Sequence, residues 1–200
     1  MTETKAPEGY LKTADVSFIV DEKGQAMQDG KTVSANGIVM TDPYDTKDLT
    51  VTKHVAGNMG SRSRYFEFTV DLKGLLPNTQ YKTDLSNAKT GSGHLNPSVF
   101  RSDESGNASV TLYMKDSQSI ILKDLAYGTS YTVAETPAGG YTTTSENASG
   151  TLKADTEAVF TNRRNMAIPT NAASGGMLPW IFTVAGAAGL LFALQKKRSR

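Results

Sequence analysis

DLTVTKHVAG, residues 48–57, alternates apolar and polar side chains, the period of a β-strand with one face turned to a core. Leu49, Val51 and Val55 share one parity and therefore one face. Lys53 shares it too. An ammonium in a core row is expensive to bury. Two readings stand at this point: an edge position whose lysine head reaches water, or a lysine with buried partners elsewhere in the chain.

The runs that follow have the same period. RYFEFTVDL (64–72) puts Phe66, Phe68, Val70 and Leu72 on one face, and ASVTLYMKD (108–116) does the same with Val110, Leu112 and Met114. QSIILKDL (118–125), TSYTVAET (129–136) and EAVFTNRR (157–164) complete at least six strands. A stretch rich in Gly, Asn, Ser and Pro between Lys73 and Gly106 reads as loop. Short strands at this spacing over about 115 residues predict one all-β, Ig-like antiparallel sandwich over 47–165.

Composition narrows the function classes. The 200 residues carry a formal net charge of +1 and no cysteine. Disulfides, zinc-thiolate sites and thiol nucleophiles are excluded. No basic stripe with interleaved aromatics points to nucleic acid. His54 and His94 lack metal-ligand spacing, so neither a metal nor a cofactor is expected. No phosphate-binding loop or nucleophile-elbow motif is present.

Ala167 to Leu194 contains no charged residue, and LPWIFTVAGAAGLLFAL begins at 178. A transmembrane helix is predicted over 178–195, with Trp180 at one interface and a basic cytoplasmic tail at 196–200. The residues before the 166–177 linker are then expected outside the membrane. The first ten residues lack the apolar core of a signal peptide, which leads to the expectation of a C-terminal fragment. A repeat supports it. TETKAPEGY (2–10) recurs as AETPAGGY (134–141), each followed by strand-like runs: VSFIV (16–20) and NGIVMTDP (36–43) after the first copy. Residues 1–46 accordingly read as the C-terminal remnant of a preceding domain of the same kind.

Lys53 is not the sole polar residue on an apolar row. Tyr131, Val133 and Glu135 share a parity, as do Ala158, Phe160 and Asn162. If the three meet, desolvation lowers the lysine pKa and raises the glutamate pKa, favouring a neutral amine beside a neutral acid. The amine is a nucleophile, the Asn162 amide carbon an electrophile, and Glu135 a proton shuttle for departing ammonia. The alternative is a buried Lys–Glu ion pair with Asn162 as a hydrogen-bond partner.

These segments resemble the CnaB-type (collagen-adhesin B-type) domains of Gram-positive pilins and surface adhesins. LTVTKHVAG resembles the family's first strand, ETKAPEGY and ETPAGGY its glutamate-bearing box, and AVFTNRRN its last strand. The resemblance implies a prealbumin-like sandwich and an autocatalytic Lys53–Asn162 isopeptide bond catalysed by Glu135, with no turnover and so no enzyme in the ordinary sense. In the remnant it assigns Glu3 as catalyst and Asp42 as acceptor, although Asp42 before Pro43 reads equally as a turn residue.

The tail resembles a sortase sorting signal with Ile168, Pro169, Thr170 and Asn171 as the motif, Asn171 standing where the pattern has glycine. This implies sortase, peptidoglycan or another pilin subunit as partners, a single-pass membrane precursor, and a final place in the cell wall. The expected function is a structural stalk. Two rivals are carried: an adhesin domain binding a host surface ligand through the 73–106 stretch with Tyr81, His94 and Phe100, and the anchor of a surface enzyme whose catalytic domain lies upstream.

Overall fold

The computed structural model describes residues 2–28, 31–33, 37–38, 40–88, 91 and 93–166. Contacts divide the chain into Met1–Asn165 and Met166–Arg200. The predicted membrane span and sorting motif lie outside the described residues. Among the described residues no helix is long and apolar enough to cross a membrane.

Every regular element among the described residues is a strand. In chain order these are β1 (Ile19–Val20), β2 (Ala26–Gln28), β3 (Lys31–Thr32), β4 (Thr46–Ala56), β5 (Phe66–Lys73), β6 (Gln80–Asp84), β7 (Val99–Arg101), β8 (Asn107–Met114), β9 (Gln118–Ala126), β10 (Ser130–Glu135), β11 (Thr142–Glu146), β12 (Ser149–Thr151) and β13 (Thr156–Arg163). One sheet runs β12-β10-β5-β8 and a second runs β11-β13-β4-β9-β6-β7. Period-2 alternation decides what each contributes to the core between them. Phe68, Val70 and Leu72 on β5 and Val110, Leu112 and Met114 on β8 are buried from one side. Leu49, Val51 and Val55 on β4, with Ile120 and Leu122 on β9, are buried from the other. Phe68 meets Phe160 of β13 edge to face, centroids 5.2 Å apart, a favoured aromatic geometry.

Three expectations are corrected. The sandwich is not wholly antiparallel: β13 pairs with β4 in parallel, Ala158 opposite Val51 and Phe160 opposite Lys53. Alternation within a strand marks its buried face but carries no information on the direction of its neighbour. The 73–106 stretch contains β6 and β7, hidden in the sequence because β7 has only three residues and the buried row of β6 holds a single apolar residue, Tyr81, beside the polar Thr83. In the N-terminal part, strand structure near 16–20 is confined to β1, paired with β2 in a small three-stranded sheet. The described residues of 36–43 form no strand; a single bridge pairs Tyr10 with Tyr44.

The sequence repeat has a structural counterpart. Tyr10 N–H donates to Pro7 O at 3.2 Å and Tyr141 N–H to Ala138 O at 3.1 Å. The third residue of each turn is a glycine with positive φ, 86° at Gly9 and 82° at Gly140, a conformation glycine reaches without a Cβ clash.

Candidate functional site

Lys53 lies on the inner face of β4, Asn162 on that of β13, and both residues are 0% exposed. Glu135 ends β10 on the opposite sheet, where it pairs with Phe68. Its side chain is only 3% exposed. Lys53 Nζ donates to Glu135 Oε2 at 2.8 Å. Asn162 Nδ2 donates to the other oxygen, Glu135 Oε1. One carboxylate therefore bridges a lysine and an asparagine carried by adjacent parallel strands.

The surroundings are apolar. Lys53 Nζ stands 4.5 Å from the centroid of the Phe66 ring and 5.7 Å from that of Phe68. Burial pulls the lysine below its ordinary value, against the opposing influence of the Glu135 hydrogen bond and charge and of Asp116. The neutral amine is thus more accessible here than in water. Asn162 Oδ1 is buried with no hydrogen-bond partner. A carboxylate only accepts, so it cannot satisfy that oxygen. If Glu135 takes the lysine proton, it becomes a donor, and an amide turned over presents Oδ1 to it.

Sequence reasoning missed the groups just outside this triad. Asp116 sits in the β8–β9 turn, where Oδ1 accepts Val55 N–H at 2.7 Å and Oδ2 accepts from Arg62 at 2.6 Å. Ser117 N–H donates to Lys53 O at 2.8 Å. Asp116 and Arg62 belong to a turn and a loop, which have no periodicity to mark an inward residue.

The other candidates are not brought into such an arrangement. Glu3 Oε2 accepts Thr13 N–H at 3.2 Å. Among the described residues neither Glu3 nor Asp42 enters an ion pair. Ile168, Pro169, Thr170 and Asn171 lie outside the described residues. Of the residues carried for ligand binding, Tyr81 is buried, its ring stacked on Phe100 at 5.4 Å and its hydroxyl accepting Leu76 N–H. His94 stacks on Tyr65 at 4.3 Å, and His54 is exposed. An open groove of about 690 Å³, lined by Asp71, Lys73, Arg101, Asp103, Asn107 and Thr132 among others, contains none of the triad. The triad does not line that groove.

Comparison with known proteins adds the following. The family model described as "Domain of unknown function (DUF7601)" matches residues 47–164. No curated protein matches the chain. Among solved structures, a mutant of the major pilin from Streptococcus pyogenes is 23% identical with a TM-score of 0.52, covering 82% of this chain and 69% of the pilin. A pilus-presented adhesin, Spy0125 (Cpa), is 26% identical with a TM-score of 0.48, covering 62% of this chain and 28% of the adhesin. By its likeness to the major pilin, the described part of the chain has a pilin-like all-β fold. The chain spans less than a third of the length of that adhesin.

Proposed function

Starting from a chain that belongs to the DUF7601 family, we propose that its sandwich is a CnaB-type structural module of a Gram-positive cell-surface protein, a stalk segment closed by a Lys53–Asn162 isopeptide bond. One observation carries this reading: Glu135 bridges a fully buried lysine and a fully buried asparagine. The pilin-like β fold supports it. The reaction balances without a cofactor. Lys53 gives a proton to Glu135, and neutral Nζ attacks Asn162 Cγ. Glu135 delivers its proton to the amide nitrogen while taking one from Nζ. The Cγ–Nδ2 bond breaks, ammonia leaves, and Glu135 ends protonated beside a neutral amide. Two buried charges disappear, a gain because such charges are costly to keep.

The bond is formed once, so the module is not an enzyme in the ordinary sense. In the closed-loop model, a link spanning about 110 residues adds roughly 4–5 kcal/mol. The C-terminal segment fits the same reading: sortase capture at Ile168–Asn171, transfer to peptidoglycan or another subunit, and brief membrane retention through 178–195.

The test is an intact mass. The folded domain, residues 47–166, should weigh about 17 Da less than its sequence, one ammonia. Lys53→Ala, Glu135→Ala and Asn162→Ala should each show their full sequence mass. A wild-type domain of full mass would leave an ordinary buried ion pair in its place.

A further inference from the structure

Among the described residues β8 is an edge of its sheet: β5 pairs with it on one side and no strand on the other. Along a strand in an antiparallel pair, alternate residues turn their N–H and C=O toward the partner and away from it. Two residues of β8 show which set faces away. Asn107 N–H donates to Asp103 Oδ1, and Asp103 N–H donates to Asn107 O, both at 2.8 Å. At the other end Tyr113 N–H donates to Asn96 Oδ1 at 2.7 Å, and Asn96 Nδ2 donates to Tyr113 O at 2.9 Å. One side-chain amide thus makes both bonds that a neighbouring strand would make. Ser109 and Thr111 lie between on the same parity, and among the described residues their N–H and C=O groups have no partner.

Asn96 is held in place by its neighbourhood. Two residues earlier, His94 stacks on Tyr65 at 4.3 Å and meets the Tyr113 ring edge to face at 5.1 Å. An open edge is a template for a further strand. On β8 that strand would extend a sheet whose inner row, Val110, Leu112 and Met114, is already buried. The other edges offer less. β7 and β12 have three residues each, and β11 is polar and exposed along its whole length.

A second copy of this chain carries the same edge and can approach it antiparallel about a two-fold axis. Three registers pair the open positions. Ser109 opposite Ser109 sets Thr111 against an Asn107 that Asp103 already holds. Ser109 opposite Thr111 sets Asn107 against Tyr113, so Asp103 of one copy meets Asn96 of the other. Thr111 opposite Thr111 sets Ser109 against Tyr113, and there Asn96 alone stands in the way.

We propose that Asn96 is an edge guard: by occupying the outward N–H and C=O of Tyr113 it keeps β8 from pairing with β8 of a second copy in the register centred on Thr111. Asp103 closes the opposite end of the strand. Without Asn96, residues 109, 111 and 113 present an uninterrupted row of outward groups that matches itself. The guard keeps crowded copies of the chain apart, and it acts whether or not the Lys53–Asn162 bond forms.

The test is a disulfide trap. The chain has no cysteine and Thr111 is exposed, so Thr111→Cys supplies a single accessible thiol. In the Thr111-centred pair the two Cα atoms stand about 5.5 Å apart, within disulfide reach. The full chain is purified in detergent at less than one chain per micelle and oxidised mildly, and the linked dimer is followed on a non-reducing gel. Asn96→Ala/Thr111→Cys should link on the order of tenfold faster than Thr111→Cys alone, because backbone hydrogen bonds closed to the parent become available across the pair. Asn96→Ala/Ser109→Cys should stay slow, since Ser109 faces Tyr113 rather than its own copy in that register. Equal rates for Thr111→Cys with and without Asn96 would overturn the guard. So would Asn96→Ala chains that link as fast through position 109 as through 111, because a loosened chain colliding at random, and not a registered edge, would then be forming the dimer.

Discussion

Lys53 is paired directly across from Phe160, and Asn162 stands across from Val55, two residues further along the same parallel strand pair. Two residues is one full period, so lysine and asparagine project from the same face and neighbour each other along it. Here β4 receives the chain from the N-terminal side and β13 passes it on, so a pull on the two ends shears this pair along its length.

The mechanical consequence is measurable. About 110 residues lie between Lys53 and Asn162. In single-molecule pulling, the linked domain should release none of them, whereas Lys53→Ala should release roughly 380 Å of chain on unfolding. Equal extensions for the two would mean that no covalent bridge bears the load.

Buried charge can be separated from lost covalency. Glu135→Ala leaves an ammonium against Phe66 and Phe68 with no carboxylate to meet it. Adding Lys53→Met to that chain removes the charge while keeping most of the volume. Neither variant can form the bond, so their difference in denaturant unfolding reads the stranded charge, about 3–5 kcal/mol in favour of the double variant. No difference would imply that water or another group reaches the lysine.

A pH dependence follows from the depressed lysine. Burial pulls Lys53 below its ordinary 10.5, outweighing the raising influences of Glu135 and Asp116. Between the depressed value and 10.5 the unfolded chain binds more protons, so the stability of an unlinked fold rises with pH across that window. Asn162→Ala retains the titrating lysine, while the linked wild type has consumed it. The gap in melting temperature between them should therefore narrow as the pH approaches 10.5. A gap that widens would place the lysine in a site that stabilises its charged form.

The sorting segment makes its own prediction. Expressed behind a signal peptide in a sortase-positive Gram-positive host, the chain should be recovered from digested wall with a C-terminal peptide ending at Thr170 and carrying wall fragments. Asn171→Gly should accelerate processing by a glycine-selective enzyme. Chains ending at Arg200 and found only in membranes would leave a plain membrane anchor.

Much of the sandwich is legible in the sequence. Strand faces are local: alternation in β4, β5, β8, β10 and β13 marks the buried row whatever the strand's neighbours are, because successive side chains must point opposite ways. The same rule places Lys53, Glu135 and Asn162 on apolar rows. β6 and β7 are not legible, since a strand of three to five residues with mixed polarity has no distinctive pattern.

What the sequence determined by itself is therefore a set of strands and the face each one buries, including three faces that carry a polar residue. What only the tertiary structure decided is which faces meet. The parallel pairing of β4 with β13, the reach of Glu135 from the opposite sheet to both Lys53 and Asn162, and the clasp of Asp116 and Arg62 beside them all join residues far apart in the chain. Periodicity is fixed by the geometry of one strand. Pairing is fixed by the packing of the whole core, which selects one register among many that local pattern alone leaves equally good.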